Sequence, residues 1–218
     1  MKIIQPKCNT QALDSKLLEL SQLVKKLEKS QEGELVRPCP NCHSLCSCSS
    51  SPVCSCDCSA TCPKAPTQLS SEEGRYPIEK MVLPLVYALR QISVCDPCWS
   101  CEGHVNEGNE LNKVPQVWFH SSSMCLIRLM DECLGLFKAR KLLHYTWQIS
   151  VSFSGRECID NAFTLKPDLN IETEIQLDLL HHDLANIAEH LGEQLLINSR
   201  RYEKSLLKMK TNLLDRLI

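Results

Sequence analysis

No apolar run in the 218 residues approaches the roughly 18 residues needed to cross a bilayer, so no membrane span is expected. Charge of one sign is missing too. With 24 Lys and Arg against 26 Asp and Glu, the formal net charge is -2. That removes the electrostatic case for nucleic acid as the main partner. The opening stretch MKIIQPKCNT has no apolar centre of the kind a secretory signal carries. Cys8 follows Gln-Pro-Lys rather than the small and apolar residues that precede a lipidated cysteine. The expectation from these absences is a cytoplasmic protein, in a compartment that keeps thiols reduced.

What the chain does have is cysteine, fifteen in all. In a reducing compartment such a count points to metal or redox chemistry before disulfides, and an odd number pairs incompletely. Eight of them crowd one run: Cys39, Cys42, Cys46, Cys48, Cys54, Cys56, Cys58 and Cys62, with His43 among them. Thiolates two or three residues apart can converge on one ion, because the chain turns back between them. Four would hold Zn²⁺ tetrahedrally, and soft sulfur ligands also suit Cu(I). The C-x-C steps resemble metallothionein-like segments, and the paired C-x2-C knuckles of a zinc ribbon are absent. Large apolar side chains are nearly missing from the run, so it either folds around metal or stays a low-complexity linker.

Hydrophobic periodicity divides the chain into four parts: 1–38, 39–75, 76–170 and 171–218. In the first, Leu13, Leu17, Leu20, Val24 and Leu27 form one apolar stripe, which predicts an amphipathic helix over about 10–30. The second is the cysteine-rich segment and its linker. The third reads as a conventional core. A helix starts or kinks at Pro84, a strand covers 114–121, and a helix covers 123–140 with Leu126, Leu129, Met130, Cys133, Leu136 and Phe137 inward. Strands follow at 144–155 and 158–169. The fold class is therefore α+β: helices on one face of a mostly antiparallel sheet. The fourth part predicts one helix of about 45 residues and ~68 Å, with a break permitted at Gly192. Its distal half needs a helical partner: the N-terminal helix, a second copy of the chain in a homodimer, or another helical protein.

A second cluster, VCDPCWSCEGH, sets Cys95, Cys98, Cys101 and His104 at a strict three-residue step. On a turn-rich backbone, three or four of them could share a metal. Closely spaced cysteines also open Fe–S sites, but the Cys-Pro that follows in bacterial ferredoxins is missing. If the stretch is a strand instead, its side chains alternate and cannot all converge. Cys101, Glu102 and His104 would then surround a tight turn at Gly103. In that setting Cys101 becomes a candidate nucleophile, with His104 or His120 as base and Glu102 or Asp131 as orienter.

The motif Ser100–His104, SCEGH, resembles an S-C-x-G-H element of small α/β proteins, mostly of unknown function. It is also similar to the S-C-S-G-R element of the wybutosine-synthesis methyltransferase family, which acts on transfer RNA. The resemblance covers about residues 92–155. It implies an α/β fold in which this turn precedes a strand rich in aromatic and β-branched residues, here QVWFHS. It also implies an RNA-modifying activity at the turn. The chain carries His104 where that family carries arginine, and it has no glycine-rich cofactor loop.

Other chemistry-bearing residues read as structural. Asp178, His182, Asn186 and His190 recur at four-residue steps and form a polar helix stripe, which is a solvated face unless a facing helix supplies further ligands. His181 falls nearer the apolar side, as a satisfied core histidine. Trp99, Trp118 and Trp147 are expected to pack, since QVWFHSSS offers no Lys or Arg to interleave for base stacking. Cys125, Cys133 and Cys158 read as small buried hydrophobes. The function expected from the whole is non-catalytic binding of Zn²⁺ or another soft ion by thiolates. An enzyme centred on SCEGH and a helical adaptor are the alternatives.

Overall fold

A computed structural model describes residues 10–32, 78–92, 94–153, 161–169 and 175–214. The elements are α1 (Thr10–Glu32), α2 (Leu83–Gln91), β1 (Asp96–Cys101), β2 (His104–Val105), β3 (Leu111–Lys113), β4 (Gln116–Ser121), α3 (Met124–Ala139), β5 (Thr146–Phe153), β6 (Asn161–Asp168) and α4 (Leu177–Leu214). The fold is α+β. One four-stranded antiparallel sheet runs in the order β1-β4-β6-β5, and β2 and β3 form a separate ribbon.

Strand register sorts the side chains by face. Val117 opposes Leu165 and Phe119 opposes Phe163, and all four are buried. The two phenylalanine rings stack at 5.8 Å. Trp118, one residue along, faces the other way and is partly exposed. This alternation is the period-two pattern of a sheet covered on one face. The helices supply the cover: α2 packs on β1 and α3 on β5, while α4 packs against α1, α2 and α3. Residues of all four helices and of the sheet share one apolar cluster.

Local signals explain where the helices begin. Pro84 sits in the first turn of α2, where its missing N–H costs nothing. Ser123 caps α3, its hydroxyl accepting from Leu126 N at 3.2 Å. In α3, Leu134 turns inward and Leu136 lies only half-buried, a small rotation of the expected stripe.

The long helix α4 has 38 residues, so it extends about 57 Å, and it passes through Gly192 without a break. Its helical partner within the chain is α1. Arg200 pairs with Glu28 at 2.7 Å and Lys210 with Asp14 at 2.7 Å, which sets the two helices antiparallel. Leu20, Leu23, Val24 and Leu27 of α1 are buried in the shared cluster. Among the described residues, no helix is long and apolar enough to cross a membrane.

A buried polar seam joins α3 to α4. Gln194 donates to Asn198, and Asn198 donates to the sulfur of Cys133 at 3.4 Å. The Tyr202 hydroxyl donates to Glu132 beside it. Burial pushes the Cys133 thiol from 9.0 up to about 12; the Glu132 charge adds to this and the Asn198 bond opposes it. The folded state thus keeps this proton to higher pH than the unfolded chain does. The stability it contributes is complete below about pH 9 and is lost as pH rises toward 12. In denaturation measured between pH 9 and pH 11, Cys133→Ala should lose stability less steeply than the natural chain, by up to about 1.4 kcal/mol per pH unit. Equal slopes would place the Cys133 proton in an ordinary environment.

Candidate metal centre

The cluster VCDPCWSCEGH is a strand followed by a tight turn. β1 is antiparallel to β4, with a bulge between Pro97 and Trp99. An extended chain advances about 3.3 Å per residue, so Cys95 and Cys101 stand on the order of 20 Å apart along it. The structure therefore sets Cys95 and Cys98 apart from Cys101 and His104, although the four share a three-residue step in the sequence. Cys95 joins the apolar cluster, where burial, then the neighbouring Asp96 charge, raises its thiol pKa. Cys98, at the bulge, is half-buried, and its thiol is raised mainly by burial. Cys101 and His104 do come together. Among the described residues their metal-binding companion is Glu79, and the ligand atoms of the three lie within 4.8 Å of one another.

The turn that brings them together depends on glycine. Gly103 has φ +89°, a region L side chains rarely adopt, and a Cβ there would lie 2.8 Å from Pro115 Cδ and 2.9 Å from Leu177 Cδ1. The chain thus leaves β1 at Cys101, reverses at Gly103 and enters β2 at His104. Glu79 reaches this turn from the segment ahead of α2. One of its carboxylate oxygens, Oε2, accepts from Glu102 N at 2.7 Å, and the other, Oε1, lies 3.1 Å from His104 Nε2. Glu102 returns the contact, its Oε2 accepting from Met81 N at 2.8 Å. From the other side, His181 Nε2 donates to the Glu102 carbonyl at 2.9 Å. His181 is thus the satisfied, half-buried histidine expected from its position, and it pins the turn to α4.

The electrostatics bear on what the three side chains can do. Cys101 is 2% exposed. Burial raises its thiol pKa, and the Glu79 charge and a hydrogen bond to Glu79 add to the rise. The Gly103 amide and the Lys113 charge work the other way. A thiol so protonated is a poor nucleophile. Glu79 serves as acceptor for both the thiol and the imidazole. A divalent cation would replace those protons and satisfy all three groups at once. Two ligands about 2.0–2.1 Å from Zn²⁺ at the tetrahedral angle are about 3.3 Å apart, close to the 3.1 Å between His104 Nε2 and Glu79 Oε1. The His104 and Glu79 side chains are 46% and 35% exposed, so the open side of the group meets solvent.

The remaining candidates stand apart from this group. Glu102 turns its carboxylate to the lead-in of α2, where Oε2 accepts from Met81 N. His120 lies on β4 opposite Asp96 and Ala162. Asp131 is exposed on α3. Cys125 and Cys133 are free thiols on the same helix, in no metal-binding group of the described residues. Trp99 and Trp118 meet edge to face at 5.5 Å on the outer sheet face. Lys113 supplies the cation that QVWFHSSS lacks, its Nζ lying 4.8 Å from the Trp99 ring centre. Cys39, Cys42, Cys46, Cys48, Cys54, Cys56, Cys58 and Cys62 lie outside the described residues, as does Cys158.

No protein-family model matches the chain, and no curated protein or solved structure matches it either.

Proposed function

We propose that the protein binds a borderline-soft divalent cation, Zn²⁺, through Glu79, Cys101 and His104, in a non-catalytic role. The observation that carries this reading is the convergence of a thiol, an imidazole and a carboxylate within 4.8 Å on a turn held from two sides. The carboxylate favours Zn²⁺ over Cu(I) or an Fe–S cluster, both of which prefer all-sulfur or sulfur-rich sets. Three protein ligands leave a fourth position on the exposed side for water or a further donor. The ion would tie the β1–β2 turn to the lead-in of α2. On residue type alone, the run from Cys39 to Cys62 belongs to the same proposal as a thiolate store, and a reducing compartment such as the cytoplasm suits both. The enzyme reading of SCEGH fits less well, because Cys101 holds its proton against Glu79.

Hydrogen exchange by mass spectrometry on the full chain tests the proposal locally. Saturating Zn²⁺ should slow exchange in the segment 78–105 by about tenfold or more, the least expected when a ligand-competent turn is closed by metal. His104→Ala should abolish that protection while leaving the exchange of α3 unchanged. If Zn²⁺ protects no amide in 78–105, the ion is not held there, whatever the chain binds elsewhere.

A further inference from the structure

We infer a second divalent-cation site, built from His144, His182 and Asp183 and separate from the Glu79 group. The three contribute ligand atoms within 4.8 Å of one another. Asp183 sits on the apolar side of α4 and is fully buried. Its Oδ1 accepts from His144 N at 2.8 Å, and its Oδ2 accepts from Tyr145 N at 2.9 Å and Trp147 Nε1 at 3.0 Å. Those three donors, two backbone amides and an indole, fix the carboxylate in place. The fourth contact is different in kind: His144 Nδ1 lies 3.0 Å from Oδ1, on a side chain 41% exposed. A cation can take the place of that ring proton without disturbing the other three bonds.

The second imidazole is also positioned. The His182 ring meets the His144 ring edge to face at 5.0 Å. Asn186 Nδ2 donates to Leu142 O at 2.6 Å and reaches His182 Nδ1 at 3.2 Å. Because an amide N–H points at it, that ring nitrogen carries a lone pair. A cation would claim the lone pair at the expense of the longer of the two amide contacts.

Anchoring β5 to α4 needs only the carboxylate and its three fixed donors. Two imidazoles held side by side at the solvent are surplus to that task. Two imidazoles and one carboxylate with open positions is a set suited to Fe²⁺, Mn²⁺ or Zn²⁺. Donors about 2.1 Å from one ion at a right angle are about 3.0 Å apart, which is the His144–Asp183 spacing. The outermost part of the Asp178–His182–Asn186–His190 stripe is a solvated face, as its spacing suggests. The ligand facing it comes from the loop ahead of β5, with no second helix required.

Mn²⁺ is the probe of choice, because the chain's many thiols are poor ligands for it. Added to the ¹⁵N-labelled full chain, Mn²⁺ should first broaden the amide signals of residues 142–146 and 181–186. In the double variant His144→Gln, His182→Gln, the concentration of Mn²⁺ needed for that broadening should rise by about tenfold or more. The His144 amide remains to bond Asp183 in this variant. Should the double variant fail to fold, His182→Gln alone, an exposed position on α4, must show the same direction of change. Broadening centred on other acidic surfaces, or unchanged by these substitutions, would overturn the inference.

Discussion

Asp183→Ala is expected to lower stability by about 3–5 kcal/mol, the range for removing one partner of a buried charged contact. The carboxylate receives four contacts from three residues of one short segment: His144 by backbone and ring, Tyr145 by backbone, and Trp147 by its indole. Alanine leaves the Trp147 indole, 3% exposed, and two backbone amides without acceptors. Each such orphan costs about 1–3 kcal/mol. At this chain size the melting temperature should fall by roughly 6–20 °C. Asp183→Asn keeps one carbonyl oxygen but turns an NH₂ toward donors, so its loss should be smaller. Thermal unfolding followed by circular dichroism measures both. A loss below about 1 kcal/mol for alanine would mean that water replaces the carboxylate and that these donors are not held in place by it.

Cys101→Ser should lower the Zn²⁺ affinity of the Glu79 group by at least about 100-fold, because even residues behind metal ligands are worth 10–100-fold. The substitution is nearly isosteric, so the metal-free protein should melt within a few degrees of the natural chain. The pH dependence gives a second handle. Burial and Glu79 raise the Cys101 thiol pKa, so the ion must displace a proton held well above neutrality. Apparent affinity should therefore rise about tenfold per pH unit through the neutral range. Without metal the sign is opposite: the raised thiol pKa stabilises the fold below the ordinary thiol value, and that contribution fades as pH climbs through the folded one. Midpoints of Zn²⁺-dependent hydrogen exchange in 78–105 at several pH values measure the first effect. A pH-independent midpoint would take Cys101 out of the ligand set.

Much of the scaffold was legible because periodicity survives in single residues. The Leu13–Leu27 stripe gives α1, the Leu126–Phe137 spacing gives α3, and the alternation through Trp147 gives β5, each within a few residues of its limits. β1 was harder. Cys, Pro, Trp and Ser carry no clean alternation, so a metal-binding turn and a strand competed for the same residues. The ribbon β2–β3 has almost no apolar signal; it is held by the Asn106 side chain, which accepts from Glu110 N at 2.9 Å.

The site was half legible. Cys101, Gly103 and His104 fall within four consecutive residues, and their types announce a turn with chemistry on it. Glu79 joins them only through tertiary folding, from a stretch whose sequence reads as the approach to a helix. Asp183 was hidden for another reason. It follows His182 directly on a helix, one position off the polar stripe, where a carboxylate should not face a core. Only the loop at His144 and the indole of Trp147, brought in from β5, explain why it does.

In the proposed centre one ion is held jointly by Cys101 and His104, with Glu79 completing the set. Loading the full chain with ¹¹³Cd²⁺ and measuring scalar couplings by NMR tests this directly. A single cadmium resonance coupled both to the Cys101 β-protons and to the His104 ring is expected, and it should be lost in Glu79→Ala or His104→Ala. Cadmium coupled to cysteines alone, with the His104 ring signals unmoved, would contradict it.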